Sequence, residues 1–395
     1  MMGEALIPLS LKYIPTELLV LVVTYLPKNN LPYVAIACSF LNEIVKNESN
    51  WRIRCDLTHK SDLRLNKQTT WLQTYRHNDH VPVDIPTLQL ALTSISPNST
   101  IIVDATNLPP QFCSDITIEK VATVRVFPST STITIMSPAD AQSSSSSPSS
   151  HKNKPIIRVV AGAKLTLNNC RLLHSSSGSD IWRGNCAVYV NKGEVTMNDC
   201  AIMSRTGRGL INVSGGVVTL KTCTVHDCAA TGVYVGDAES SCNFQLCNIV
   251  RCGRGGGDIP HGHSGVYVET GKGSVVNSFI GDNALTGVTV VRGGQVVLKD
   301  CDIVSNGAEA VTIEDIDRGT AAMLENNCMQ NNGQVPDVSP ETFDDSSRRF
   351  DCKGLRGPSL LRKIAEGLEA TTEPEGIDHD AAEELVLLSP LGVAA

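Results

Sequence analysis

One phrase returns along the chain between Lys164 and Gly333, at a spacing of about two dozen residues. Its first half is a strand-like run that ends in a small residue, as in LTLNNC, VTMNDC and VTLKTC. The residues that end these runs, spaced 30, 23, 24, 31, 23 and 26 apart, are Cys170, Cys200, Cys223, Cys247, Ser278, Cys301 and Asn327. A period of this size predicts a solenoid, in which each repeat stacks on the next.

The second half of the phrase is a short β-branched run. It reads AVYV at 187–190, LINV at 210–213, GVYV at 232–235 and 265–268, GVTV at 287–290 and AVTI at 310–313. Each repeat therefore carries at least two short strands. Leucine-rich repeats share the period, but they require leucine spacing and a helical return, whereas these repeats are rich in Val, Thr, Gly and Asn. The sequence predicts a mainly β chain with a right-handed parallel β-helix over residues 78–334.

A second set of small residues follows the first at a distance of five, and it comprises Cys228, Cys252, Asn283, Asn306 and Asn332. Pairs such as Cys223 and Cys228 could be taken for zinc ligands, but no histidine completes them at ligand spacing. Stacked columns of small residues and asparagine ladders explain the same spacing. We therefore expect buried structural thiols, no metal and no cofactor.

Interruptions of the repeat predict loops that leave the coil. The serine-rich tract at 141–154 is one, and the long spacings place two more near 175–185 and 252–263. Because loops on a rigid scaffold often carry the residues that bind a ligand or partner, these two loops supply candidate substrate-binding residues. The candidates are Trp182, Arg183, Arg254, Asp258, His261 and His263. An amphipathic helix over Thr87–Ile95 is predicted to cap the first turn of the coil.

The first 77 residues follow another pattern, with leucine and valine at helical spacing and no repeat phrase. The string IPTELLVLVVTYLPKNNLPYVAIACSFLNEIVKNESNW resembles the F-box, a small all-α domain. The matching positions are Ile14, Pro15, Glu17, Leu18, Leu19, Val22, Tyr25, Leu26, Leu31, Val34, Cys38, Trp51 and Arg52. An ordinary three-helix domain with the same leucines buried is the alternative.

The resemblance implies the substrate-recognition subunit of a Skp–cullin–F-box ubiquitin ligase, a non-catalytic receptor. Its F-box would bind a Skp-type adaptor, and through it a cullin, while the β-helix binds an unknown target protein. The residues that the resemblance assigns to the adaptor are Ile14, Pro15, Leu18, Leu19, Val22, Leu26, Leu31, Val34 and Cys38.

Two other functions stay open. A parallel β-helix also suits polysaccharide lyases and hydrolases, and hydrolysis needs two carboxylates facing one groove. The residues beside the first set of small residues do not supply such a pair, and the acidic run of Glu314, Asp315 and Asp317 is typical of a solvated turn. A non-catalytic scaffold that binds glycans or proteins is the third possibility.

Composition limits the classes of partner that the chain is expected to bind. A formal charge of −8 and the lack of basic clusters with interleaved aromatics argue against nucleic acid. The start has no secretory pattern and no apolar run of membrane-spanning length, so we expect no membrane partner and a cytoplasmic or nuclear location. Residues 335–395 read as an acidic tail, within which 359–370 forms a possible capping helix.

Overall fold

The structure is a computed structural model of the 395-residue chain. It describes residues 70–137, 153–176, 184–255 and 262–333 except 83 and 107, and, nearer the amino terminus, residues 15, 18–19, 22–23, 26, 30, 45, 47–57 and 60. Within these ranges the chain forms three helices of a turn or more and 27 strands, numbered here in chain order. The helices are α1 (Glu48–Leu57), α2 (Trp71–His77) and α3 (Leu88–Ser94), and a 3₁₀ turn covers Ile316–Arg318.

The strands stack into three parallel sheets, and one turn of the coil, called a rung here, contributes one strand to each sheet. In order along the coil, the first sheet contains β1 (Asp79–Val81), β2 (Ser99–Asp104), β5 (Val121–Phe127), β8 (Lys164–Asn168), β11 (Glu194–Asn198), β14 (Val217–Lys221), β17 (Ser241–Gln245), β20 (Lys272–Val276), β23 (Gln295–Lys299) and β26 (Ala321–Glu325). The second contains β3 (Gln111–Phe112), β6 (Ile133–Met136), β9 (Cys170–His174), β12 (Ala201–Ser204), β15 (Thr224–His226), β18 (Asn248–Val250), β21 (Phe279–Gly281), β24 (Asp302–Val304) and β27 (Cys328–Gln330). The third contains β4 (Ile116–Ile118), β7 (Ile157–Val159), β10 (Cys186–Asn191), β13 (Arg208–Val213), β16 (Val233–Gly236), β19 (Val266–Glu269), β22 (Val288–Val291) and β25 (Val311–Ile313).

From β8 onward, the first corner of the rung, between the first and second sheets, contains one residue with positive φ. It has a left-handed backbone in all seven successive rungs, at Asn169, Asp199, Thr222, Leu246, Asn277, Asp300 and Asn326. Five of the seven are Asn or Asp, the non-glycine residues that tolerate this conformation best. The first set of small residues therefore lies at the start of a further strand, with Cys170 as the first residue of β9 and the other six directly before the strand that follows them, so each rung has a third strand that was not predicted from the sequence.

Alternate residues of each strand point into the coil and form its core. In the first sheet these inward residues include Leu165, Val195, Val218 and Leu298, all of which are buried. Neighbouring rungs pair residue by residue, so each core position stacks on the same position of the next rung. Small aliphatic side chains fill such a narrow interior, which agrees with the low aromatic content of 4%.

The second predicted set of small residues is confirmed as a buried ladder. The side-chain amide of Asn283 donates to Oδ1 of Asn306 at 2.9 Å, and that of Asn306 donates to Oδ1 of Asn332 at 2.9 Å. The amide of Asn306 also donates to the carbonyl of Ile280 at 3.2 Å. Earlier rungs fill the same column with the buried thiols of Cys228 and Cys252, so these cysteines pack structurally.

The amino-terminal end of the coil is covered by α3, as the sequence predicts. Thr87 caps this helix by accepting a hydrogen bond from the amide of Leu90, and Leu88 and Leu92 are buried in the core. A buried ion pair, Lys60 Nζ to Asp84 Oδ2 at 2.5 Å, ties the segment after α1 to the chain just after β1. Removing one partner of such a pair leaves an unpaired buried charge, which commonly costs about 3–5 kcal/mol.

The described residues cover only part of the predicted domains. The tract at 141–152 and the tail from 334 onward lie outside the described residues, as does most of the stretch that resembles an F-box. Near the amino terminus, residues 18–19 and 22–23 are α-helical, and the guanidinium of Arg54 donates to the carbonyls of Val23 and Leu26. The F-box itself stays a prediction.

The asparagine ladder yields a first prediction. Replacing Asn306 by Ala removes the partners of the Ile280 carbonyl and of the Asn283 amides, all buried. Because each unsatisfied buried group costs about 1–3 kcal/mol, we expect Asn306→Ala to lower the free energy of unfolding by at least ~2 kcal/mol in urea denaturation. The exposed Asn243 on the first sheet is the matched control, and Asn243→Ala should change stability by less than about 0.5 kcal/mol. Equal effects would contradict the ladder's role.

His174 yields a second prediction, because it is fully buried at the end of β9. Its Nε2 donates to the carbonyl of Lys154 at 3.0 Å, so its Nδ1 accepts from the hydroxyl of Ser204 at 2.8 Å. Burial lowers the pKa of His174 from 6.5 to about 4, against the opposing effect of the Lys154 carbonyl. The ring is therefore neutral in the folded protein down to mildly acidic pH.

Between pH 6.5 and 4 the unfolded chain binds a proton at His174 that the folded chain does not, so its contribution to stability is full above pH 6.5 and falls on acidification. The loss approaches about 3 kcal/mol at pH 4. In urea denaturation across this range, His174→Gln should flatten the slope of stability against pH, whereas His263→Gln, a half-buried histidine, should keep it. Parallel curves for wild type and His174→Gln would contradict the assignment.

Candidate functional site

Three tyrosines lie in one outward-facing column of the third sheet. Tyr189 pairs in register with Ile211, Ile211 with Tyr234, and Tyr234 with Tyr267. They face outward because the valines on either side of each one are buried in the core, and strand side chains alternate. Rungs are about 4.8 Å apart, so the three rings lie in one line along the coil axis, with Ile211 between Tyr189 and Tyr234. Tyr189, Tyr234 and Tyr267 are called the tyrosine stripe below.

Guanidinium groups pack on the rings of the stripe. The guanidinium of Arg158, in register with Tyr189, lies 4.8 Å from that ring's centroid, and that of Arg208 lies 4.2 Å from the centroid of Tyr234. The rings of Tyr234 and Tyr267 stack with centroids 5.9 Å apart and an interplanar angle of 19°. Cation–π contacts and stacking hold the ring planes in fixed orientations. Tyr189 and Tyr267 are half-buried, whereas Tyr234, covered by Arg208 and Tyr267, is buried.

Gly236 makes room for the ring of Tyr234, which precedes it by two residues. A Cβ at Gly236 would lie 2.8 Å from the Tyr234 hydroxyl and 2.9 Å from its Cε1. The Tyr234 ring can therefore occupy this position only when residue 236 is glycine. In that position the hydroxyl donates to Oε2 of Glu269 at 2.7 Å. Glu269 faces Gly236 in the next rung, so the ring reaches along the coil axis.

Glu269 belongs to a second outward column, two residues after the stripe on each strand, that holds Asn191, Val213, Gly236, Glu269, Val291 and Glu314. Glu314 continues this register beyond β25, since its amide donates to the carbonyl of Val290 at 3.0 Å. Two rungs separate Glu269 from Glu314, which places their backbones about 10 Å apart. Arg292 forms an ion pair with Glu269. The column thus presents two carboxylates beside Tyr267.

The electrostatics of the rings agree with this arrangement. Burial raises the pKa of the Tyr267 hydroxyl, and the charges of Glu269 and Glu314 raise it further. Burial, with the hydrogen bond to Glu269, also raises the pKa of Tyr234, so its hydroxyl stays a donor at neutral pH. Burial lowers the pKa of Arg208 to about 10, which leaves it charged at neutral pH. Both glutamates therefore act on one side of the stripe.

Sequence reasoning missed Glu269 and treated Glu314 as part of a solvated turn. Acids were sought beside the first set of small residues, at the first corner of the rung, whereas the acids in register lie in the third sheet. The signal was present, because GVYV at 265–268 and AVTI at 310–313 are each followed directly by glutamate. Counting from the β-branched runs would have found the pair.

The residues that were predicted to bind an adaptor are only partly described. Leu18 and Val22 are 52% and 57% exposed, Pro15 is exposed, Leu19 is buried and Leu26 is half-buried. Ile14, Leu31, Val34 and Cys38 lie outside the described residues. An adaptor-binding role for this group stays a prediction.

The predicted substrate-binding loops are also partly described. Arg254 is half-buried at the turn that leaves the second sheet, where its Nη2 reaches the carbonyl of Asp282 at 3.5 Å. His263 lies just before β19, with its amide directed at the carbonyl of Gly253. Trp182, Arg183, Asp258 and His261 lie outside the described residues. Neither described residue belongs to the tyrosine stripe.

The described part of the chain contains neither a metal-binding cluster nor a membrane-spanning helix. Among the described residues, no group of three or more His, Cys, Asp or Glu side chains is arranged to hold a metal ion. No helix there is long and apolar enough to cross a membrane. The candidate site therefore consists of the tyrosine stripe, its arginines and the two glutamates.

Comparisons with known proteins support the fold. A family model described as the right-handed β-helix region matches residues 149–271, so the coil is a right-handed parallel β-helix as predicted. No curated protein matches the sequence. Similar solved structures include an alginate lyase from Paenibacillus sp. str. FPU-7 at 11% identity, with 63% of this chain and 95% of that chain covered and a TM-score of 0.43.

Two other similar structures are named as enzymes as well. Pectate lyase Pel9A has 11% identity over 66% of this chain and 75% of its own, with a TM-score of 0.40. A pectin methylesterase from Aspergillus niger has 13% identity over 70% of this chain and 91% of its own, with a TM-score of 0.38. At such identities the likeness shows the fold alone.

The predicted function is corrected by these findings. A non-catalytic receptor subunit of a ubiquitin ligase was expected, but the solved structures that share the coil are named as lyases and a methylesterase. The prediction of a non-enzymatic receptor is therefore wrong, and the findings favour the alternative of a polysaccharide-active β-helix. What this chain could do to a polysaccharide must be argued from its own third sheet.

The fit between Gly236 and Tyr234 gives a third prediction. Tyr234→Phe removes a hydrogen bond to a carboxylate, which should cost about 1–2 kcal/mol of stability. In a Gly236→Ala background the ring is already displaced from Glu269, so the same change should cost close to nothing. A double-mutant cycle by urea denaturation measures this coupling. Gly281→Ala is the control background, because Gly281 makes room for the Phe279 ring on the second sheet in the same way as Gly236 does for Tyr234. In that background, Tyr234→Phe should cost as much as it does in the wild type. Additive effects of Tyr234→Phe and Gly236→Ala would contradict the proposed fit.

Proposed function

We propose that the protein is a polysaccharide-cleaving enzyme whose substrate lies along the third sheet. The observation that carries this proposal is the tyrosine stripe flanked in register by Glu269 and Glu314. A pyranose ring has an apolar C–H face that stacks on the face of an aromatic ring, and polar hydroxyls at its rim. The line of aromatic rings matches the apolar face of the sugar, and the charged groups along one side of that line match its hydroxyls.

Binding follows from the geometry of the stripe. Tyr189 and Tyr267 are the partly exposed rings of the stripe and lie three rungs apart along the coil axis, so a linear sugar chain that contacts both would lie across the strands and touch several rungs at once. Arg158 and Arg292 lie at its edges with donors for sugar hydroxyls or carboxylates. A preformed row of rings costs little ordering entropy on binding, because their planes are already held by stacking and by cation–π contacts.

Cleavage would use the two glutamates. Inverting glycoside hydrolysis places two carboxyl groups about 6.5–9.5 Å apart, with room for a water between one of them and the sugar. Backbones two rungs apart give a separation of this order. Glu269, which accepts from Tyr234 and pairs with Arg292, suits the base that takes a proton from the attacking water. Glu314 is exposed at the end of the same column, where it can reach the leaving oxygen of a bound sugar chain, and we assign it the role of the acid.

In this reaction the water oxygen bonds to the anomeric carbon, its proton passes to Glu269, the glycosidic bond breaks, and its oxygen receives the proton of Glu314. Tyr267 lies in the neighbouring column on the same strand as Glu269, near enough for the charges of both glutamates to act on its hydroxyl, and would support the sugar ring beside the cleavage point. Tyr234 would hold the carboxylate of Glu269 in place.

The test is release of reducing ends from a panel of neutral and acidic polysaccharides. Glu269→Gln and Glu314→Gln should each lower kcat by about 10²-fold or more, as expected for loss of a general acid or base. Tyr267→Ala should weaken substrate binding by roughly tenfold, about 1.4 kcal/mol, with a smaller change in kcat.

Glu194→Gln is the matched control, because Glu194 is an outward glutamate on the first sheet, paired with Lys164. It should leave cleavage unchanged. Absence of reducing ends from every polysaccharide in the panel, or full activity in both glutamine variants, would overturn the proposal.

A further inference from the structure

The carboxy-terminal end of the coil exposes residues that are core residues in every earlier rung. Leu324 occupies an inward column of the first sheet, in register with Leu298, yet it is 48% exposed. Met329 occupies an inward column of the second sheet, in register with Ile303, and is 39% exposed. Leu298 and Ile303 are both fully buried. Leu324 and Met329 are called the open end below.

The two ends of the coil differ in this respect. At the amino-terminal end, α3 lays Leu88, Ala91 and Leu92 on the first rungs, and all three are buried. At the other end, the strands β25, β26 and β27 are the last described in their sheets, so their outer edges pair with no further described strand. Apolar ends and free strand edges in a β-helix favour association with another segment.

We propose that residues 357–370 of this chain bind the open end. This segment follows the last rung in the sequence and lies outside the described residues. About two dozen residues connect it to Gly333, a length that spans up to ~80 Å when extended, so it can reach every part of the end. The proposal is independent of the proposed function, because neither Leu324 nor Met329 belongs to the tyrosine stripe.

The composition of the segment fits the open end. Leu360, Leu361, Ile364 and Leu368 occur at spacings that place them on one face of a helix, whereas Lys363 and Glu366 fall on the opposite face. Such a helix would lay an apolar face on the end of the core, as α3 does at the other end. Arg356, which directly precedes the segment, would meet exposed acids of the last rungs such as Glu309 and Asp315.

The two methionines of the last rung give a direct measurement. Met329 points inward at the open end, whereas Met323 points outward from β26 and is 64% exposed. A bound segment would shield the Met329 thioether from peroxide and leave Met323 reactive, because oxidation follows exposure. In the full-length protein, we expect Met329 to oxidise several-fold more slowly than Met323, as measured by mass spectrometry after a timed peroxide treatment.

The variants are made in the full-length chain. Leu361→Ser with Ile364→Ser removes two residues of the apolar face, and Lys363→Ser with Glu366→Ser is the control on the opposite face. The first pair should raise the oxidation rate of Met329 toward that of Met323 and speed hydrogen exchange in β26 and β27. The control pair should leave both rates as in the wild type.

Three results would overturn the proposal. Equal oxidation rates of Met329 and Met323 in the wild type would mean that the end is open in solution. Protection of Met329 that survives the Leu361→Ser and Ile364→Ser changes, together with a dimer mass by light scattering, would assign the end to a second copy of the chain. Protection that survives them in a monomer would assign it to another segment.

Discussion

The rest of the structure depends on the parallel pairing of successive rungs in strict register. Each rung repeats the hydrogen bonding of the last at a spacing of about 4.8 Å, so a residue's position in the rung determines which column it joins. A column is either inside, where Leu165, Val195 and Val218 stack into a core, or outside, where Tyr189, Tyr234 and Tyr267 form a stripe. A residue type that recurs at the same position of successive rungs therefore produces either a core column or a surface column.

This register makes polar side chains structural as well as apolar ones. The side-chain amide of Asn283 donates to Asn306 and that of Asn306 donates to Asn332, so each finds a partner in the interior, where an isolated amide would carry a large desolvation cost. The tight first corner at Asn277 or Asp300 has the same origin, since a left-handed residue is needed there in every rung from β8 onward. Thr222 and Leu246 show that the coil also tolerates less suited residues at that corner.

The repeat predicted the coil because its signals are local. Spacing, β-branched runs and the asparagine column are properties of nearby residues, and the structure confirms them together with the cap from Thr87 to Ile95. The third strand of each rung was not predicted. A single left-handed residue separates β8 from β9, and no glycine or proline marks that turn in the sequence.

The candidate site was not predicted, because its members are far apart in sequence. Glu269 and Glu314 are brought together only by the register of the third sheet, and that register depends on where each loop leaves the coil. The loops near 175–185 and 252–263 shift the spacing from about 24 to about 30 residues without moving the columns. Counting along the chain at a constant period therefore loses the alignment.

Both long loops depart at the same corner, between the second and third sheets. Each emerges directly upstream of a strand that bears a stripe tyrosine, β10 for Tyr189 and β19 for Tyr267. A residue added to the tight first corner would turn the next strand inside out, but a residue added to one of these long loops leaves the register of the next strand unchanged. Lineages of such a coil could therefore acquire new ligand preferences by lengthening or trimming the loops at this one corner, while the interior that keeps them folded stays untouched.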